Sequence, residues 1–207
     1  VFAAIIGGMD ASRPDPQSAL EGSAVLLRPL TEEDLPALFS AIGTPEVFAG
    51  GWGGGPAAYR EDFGQWSGFL RRYLQWERCN VYAVCLRSDG ARVVGTTTLG
   101  DFDLPNGSTH LGWTAYAPEV WGTAVNADAK HLLLGTAFEH GFERVRLQAD
   151  ILNRRSQAAI ERLGASPEGV LRHVNRRADG TWRDIAVYSV LREEWPRVRE
   201  SLLRRLE

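Results

Sequence analysis

The stretch from His110 to Gly164 constrains the fold of this chain more than any other. Its order is strand, turn, helix, strand, helix. The extended run Leu111 to Ala117 must stop at Pro118, because proline disfavours helix in the residue before it and has no N–H to give a ladder. A helical pattern then runs from about Thr123 to His140, with Gly141 placed to cap it. The small residues Gly122, Thr123 and Ala124 join strand to helix. A turn of that kind leaves the first N–H groups of the helix unpaired, with the positive end of the helix dipole behind them. It suits an anion such as a pyrophosphate.

After the next strand, Arg144 to Asp150, Asn153 stands at a helix start, Ser156 lies one turn in, and Gly164 ends the helix. Asn and Ser lead the N-cap ranking, so capping alone is a sufficient reading of both.

Around this unit the chain continues the alternation of strand and helix. Ala24 to Leu30 reads as a strand and Thr31 to Ile42 as a helix with a capping-box start. Residues 43–59 form a loop in which five glycines surround Trp52. With no G-K-[ST] and no strand before it, this loop reads as a mobile lid whose Trp52 closes over a substrate, not as a phosphate loop. A helix from about Arg60 to Arg78 follows, with Phe63, Trp66, Leu70 and Leu74 on one face. Asn80 to Arg87 and Arg92 to Gly100 form a hairpin, and a loop from Asp101 to Thr109 leads back to His110. Gly169 to Val174 and Thr181 to Leu191 form a second hairpin, with Ala178, Asp179 and Gly180 near its turn. The tail, Arg192 to Glu207, is a charged amphipathic helix with Arg197, Arg199, Arg204 and Arg205 on a solvated face.

At the amino end, Val1 to Ile6 is too short an apolar run for a signal peptide or membrane span, and Met9 is a candidate native start. Residues 1–23 read as a flexible leader and 24–207 as one domain. A formal net charge of −3 argues against a nucleic-acid surface. Cys79 and Cys85 stand alone and read as buried thiols in a reducing, cytoplasmic compartment. The histidines have no metal-ligand spacing.

The ordered series HLGW, PEVWGTAVNADAKHLLLGTAFE, RVRLQADILNRRSQAAIERLGA, EGVLR and DIAVYSVLREEW resembles the GNAT superfamily of acetyl-CoA-dependent N-acetyltransferases. It is most similar to the branch of ribosomal-protein N-terminal acetyltransferases (RimJ/RimL-like). The resemblance spans roughly Val25 to Trp195. It implies an α/β (α+β) fold with a mixed, largely antiparallel sheet flanked by helices. The sheet would splay between its fourth strand, Leu111 to Ala117, and its fifth, Val145 to Asp150.

Acetyl-CoA is the cosubstrate that the resemblance implies. Its pantetheine would pair with the strand at Thr114, Ala115 and Tyr116, like an added strand, and Asn153 would hold the pantetheine amides. The pyrophosphate would lie on Trp121, Gly122, Thr123, Ala124, Val125 and Asn126. The family pattern there is Arg or Gln, two residues, Gly, one residue, Gly or Ala; Trp121, Ala124 and Asn126 all depart from it. A cradle of backbone N–H groups tolerates such changes, whereas side-chain contacts to phosphate do not.

The helix from Arg60 and the loop before it would wall the acceptor site with Trp52, Phe69, Tyr73 or Trp76. The chemistry implied is direct attack of a neutral primary amine, from a protein N-terminus or a small molecule, on the thioester. A strand N–H near Thr114 or Ala115 would stabilise the oxyanion, and Ser156 would hydrogen-bond the leaving sulfur. His110 stands where the related branch often has Glu and is the candidate base, with Asp101 and Asp103 in reserve; an ordinary strand histidine is an equal reading. A non-catalytic acyl-CoA-binding module, a longer acyl donor, and a homodimer are each compatible with the sequence.

Overall fold

The computed structural model describes residues 10–177 and 179–206. Val1 to Met9 and Ala178, which carry the apolar run, the candidate start and part of the hairpin turn, lie outside the described residues.

Alternating apolar side chains build one sheet with a core on each face. Its strands are β1 (Leu20–Glu21), β2 (Val25–Pro29), β3 (Asn80–Leu86), β4 (Arg92–Asp103), β5 (Ser108–Tyr116), β6 (Arg144–Asp150), β7 (Ser166–Arg176) and β8 (Trp182–Leu191). They lie in the order β1-β2-β3-β4-β5-β6-β8-β7. Strand β3 shows how the alternation works: Tyr82 and Val84 enter the core on one face, while Val81, Ala83 and Cys85 enter the other. The first core lies under α4 (Ala124–Glu139), α5 (Arg154–Leu163) and α6 (Trp195–Leu203). The second lies under α1 (Leu35–Ile42), α2 (Pro45–Ala49) and α3 (Phe63–Tyr73).

Every strand pairing is antiparallel apart from β5 with β6. That pairing covers only Ser108 to His110 against Arg144 to Arg146. Beyond it the strands part, for two local reasons. Strand β6 is paired with β8 along its whole length, from Arg144 to Asp150, and follows β8. Strand β5 carries a bulge: Thr98 pairs with Gly112 and Thr96 with Ala115, so two residues of β5 oppose Thr97 alone, and Trp113 turns to φ 51°. An extra residue bends and twists its strand. The expected splay is therefore present, between β5 and β6 once the added edge strand β1 is counted.

Several boundaries differ from the sequence reading. From Ser12 onward the expected leader is held against the domain. Ser12 N–H donates to His140 O at 2.9 Å, Arg13 Nε to Asn80 Oδ1 at 2.9 Å, and Asn80 Nδ2 to Pro14 O at 2.9 Å. Buried Asp128 accepts the N–H groups of Ala24 and Val25 at 2.7 and 3.0 Å. Pro and Ser in that stretch make turns, and its polar backbone finds partners. The loop expected over 101–109 shrinks to 104–107, because β4 and β5 pair as far as Asp103 and Ser108. Helix α3 spans only Phe63–Tyr73: Asp62 caps it by accepting the Gln65 N–H at 2.8 Å, and the chain leaves it where Leu74 is buried and Gln75 takes φ 51°. Strand β7 is longer than expected and forms the far edge of the sheet. Among the described residues both cysteines are free and buried, and no helix is long and apolar enough to cross a membrane.

Candidate active site

The wedge between β5 and β6 opens into a cavity of about 250 Å³. Its walls are the free edge of β5 from Leu111 to Tyr116 and the facing residues Leu147 to Asp150 of β6. The entry to α4 forms one end with Trp121, Gly122, Thr123 and Asn126. Asn153 and Ser156 of α5 line the same space, and Trp52 and Tyr73 reach it from the other face of the sheet. Ala124 and Val125 do not line it. Val125 is buried, and its N–H is taken by the capping Oγ1 of Thr123 at 3.3 Å.

Gly122 adopts φ 78°, a conformation that a side chain would strain, and this turns the chain into α4. Trp121 then folds back, its indole N–H donating to Tyr116 O at 2.9 Å, so that carbonyl already carries one hydrogen bond. The Arg155 guanidinium lies 3.5 Å from the centre of the Trp121 ring. Where the family pattern has Arg or Gln, the aromatic face thus holds a cation supplied by α5. The side chain of Asn153 caps α5, accepting the Ser156 N–H at 3.0 Å, and both residues also face the cavity. Cap and lining are the same residues.

The lining is strongly cationic. Lys130, Arg155, Arg162, Arg183 and Arg205 face it against one carboxylate, Asp150. Burial pushes that carboxyl up, but the Arg177 guanidinium at 2.8 Å and the Leu152 N–H at 2.9 Å outweigh it and hold Asp150 below the usual carboxylate range. Arg183 lies 3.3 Å from the same carboxylate.

His110 is buried and does not line the cavity. Its ring packs on Trp113, and its Nδ1 stands 3.4 Å from Asp101 Oδ2 without hydrogen-bond geometry. Among the described residues neither ring nitrogen has a hydrogen-bond partner. Burial pushes the imidazole below its ordinary pKa, against the upward pull of Asp101. A methyl added at Gly112, which does line the cavity, would meet His110 Nε2 at 2.6 Å. Asp101 is bound to Arg146 at 2.6 Å and Asp103 to Asn106 at 2.8 Å, neither at the cavity.

Among the residues expected to wall the acceptor site, Trp52 is docked rather than hanging as a lid. It is buried among Phe48, Phe69 and Tyr73, and its indole N–H donates to Trp113 O at 3.3 Å. Tyr73 faces the cavity. Phe69 stacks behind it at 5.3 Å, and neither Phe69 nor Trp76 reaches the lining.

The model of the acetyltransferase (GNAT) domain matches residues 24–166. The chain belongs to the GNAT acetyltransferases. A protein of T. thermophilus assigned to the acetyltransferases is 35% identical, with 95% of this chain and 99% of that one covered at a TM-score of 0.82. A GCN5-related N-acetyltransferase from Brucella melitensis superposes at 0.86 with 23% identity over 97% and 90% of the two chains. Mycobacterium smegmatis RimJ, whose structure contains CoA-disulfide, superposes at 0.70 with 21% identity over 90% and 92%. A comparison with curated proteins found no match.

In this GNAT domain sequence reasoning missed Arg155 and, deeper in the cavity, Lys130. It is the only lysine in the chain; all 22 other residues of the Lys and Arg total are arginine. Lys130 sits on the sheet-facing side of α4, is 6% exposed, and donates to Thr114 Oγ1 at 2.8 Å and Thr97 Oγ1 at 3.3 Å. The signal was present in sequence: before Glu139, Asp128 and Lys130 are the only residues of the helix from the Asp, Glu, Lys and Arg set.

Proposed function

We propose that this GNAT domain, over residues 24–207, moves an acetyl group from acetyl-CoA to a primary amine by direct attack in a ternary complex. A protein N-terminus is the acceptor that the RimJ/RimL-like sequence resemblance implies, and a small amine fits the same chemistry. The free cysteines support a reducing, cytoplasmic setting. One observation carries the reading: a strand edge without a partner, the N-terminus of a long helix and a cationic lining meet in one cavity.

The roles follow from placement. The unpaired edge of β5 gives pantetheine a ladder to join, and the turn from Trp121 to Asn126 with Arg155 receives the phosphates. The acceptor enters beside Trp52 and Tyr73, and its nitrogen attacks the thioester carbon. A backbone N–H at the bulge near Thr114 or Ala115 stabilises the oxyanion. The sulfur departs with the electron pair of the C–S bond and takes a hydrogen bond from Ser156. His110, directly behind Gly112, takes the amine proton through a bridging water, so this base acts at one remove.

Thermal unfolding with CoA and acetyl-CoA, followed by free-thiol release with a panel of amines and peptides, tests the reading. A ligand of the folded state raises Tm by mass action. Ser156→Ala should lower kcat by about 100-fold or more, within the range for positioned proton donors, with little change in the Tm shift. No shift with either thioester or free CoA sinks the assignment. A shift without thiol release from any amine leaves a binding module in its place.

A further inference from the structure

The ammonium of Lys130 is the feature that acetyl transfer leaves unexplained. It lies inside the splay, at the level of the β5 bulge, where Thr114 and Thr97 form its floor. No carboxylate of the described residues lies within ion-pair distance of it. The two buried carboxylates that border its helix and the cavity are engaged elsewhere: Asp128 holds the N–H groups of Ala24 and Val25, and Asp150 holds Arg177 and Arg183. The two threonines also hydrogen-bond each other at 2.8 Å, so they do not need the lysine to be satisfied. A buried cation without a counter-charge is costly, and a ligand that brings the anion removes that cost. An acetyl group brings only a methyl.

Resting on the transferase reading above, we propose that the preferred acyl donor is a CoA thioester whose acyl chain ends in a carboxylate, of the malonyl or succinyl class. Lys130 receives that carboxylate, with the Thr97 and Thr114 hydroxyls beside it. The reaction is unchanged in its atoms and electrons. The acceptor nitrogen bonds to the thioester carbonyl carbon, the C–S bond breaks with its electron pair going to sulfur, the amine proton ends on the thiol, and the distal carboxylate passes intact into the amide product. The choice of lysine fits the task. A compact ammonium on a long stem can meet a terminal carboxylate at the bottom of a narrow recess, where a planar guanidinium needs more width.

The test is a titration of the purified protein with five ligands: CoA, acetyl-CoA, butyryl-CoA, malonyl-CoA and succinyl-CoA, each read by Tm shift and Kd, then by thiol release with an amine acceptor. We expect malonyl- or succinyl-CoA to bind at least ten-fold more tightly than butyryl-CoA, which has similar length and no charge. In Lys130→Met that ratio should collapse toward one, and in Thr114→Val it should fall part of the way. If the variants fail to fold, the wild-type ratio alone still decides the donor class. Equal or tighter binding of acetyl- and butyryl-CoA overturns the proposal while leaving the transferase reading standing; absence of any shift, free CoA included, removes both. Peptide-level mass analysis of the same samples closes the remaining route: stoichiometric acylation at Lys130 would make it an acceptor and overturn its role as a carboxylate receptor.

Discussion

Lys130 also governs how stability depends on pH. Burial pushes its pKa down from 10.5 to about 7. Between those values the unfolded chain holds more protons than the folded one, so native stability rises with pH across that window and the full cost of burial is felt below it. Lys130→Met lacks the cost and the slope. Its Tm should exceed that of the ligand-free wild type most at about pH 6, and the gap should narrow toward about pH 10; a gap that is flat with pH would mean that the amine is hydrated. A second residue-level expectation concerns Gly112. Gly112→Ala places a methyl 2.6 Å from His110 Nε2, so the imidazole or the strand must move. The strain should cost about 1–3 kcal/mol in denaturant unfolding, and a neutral result would show that the ring at 110 is free to shift.

At the scale of elements, the residue that caps α5 stands where helix stability and the cavity wall meet. Asn153→Ala removes the side-chain acceptor of the Ser156 N–H and should lower stability by about 1 kcal/mol. The same change should reduce the Tm shift given by acetyl-CoA, because Asn153 and Ser156 share the cavity wall; a loss of stability with an unchanged shift would confine Asn153 to capping. These elements were legible from sequence because Pro118, Gly122, Asn153 and Gly164 act on their own neighbours. What escaped was set at a distance. The bulge at Trp113 depends on the pairing of β5 with β4, and Lys130 is recognisable as a cavity residue only once Thr97 and Thr114 stand opposite it. Trp52 read as a lid because a glycine cluster carries no record of the aromatic nest formed by Phe48, Phe69 and Tyr73.

For the whole molecule, the carboxy-terminal helix is structural rather than appended. Val198 and Leu202 of α6 are buried in the core that also holds Leu133, Leu134 and Phe138 of α4. Leu202→Ala should destabilise the fold by about 2–5 kcal/mol, as read by the denaturant midpoint, and it should weaken acetyl-CoA binding if α4 loses its seat; a near-neutral change would show that α6 detaches readily. The distribution of basic residues has a different consequence. Activated thioesters acylate exposed amines without any enzyme, and a lysine side chain is the usual victim, whereas a guanidinium stays protonated and unreactive. A chain that carries 22 arginines and keeps its one lysine shielded in the interior presents no lysine amine on its surface to the reagent it handles. That surface offers an acyl thioester no lysine side chain to modify.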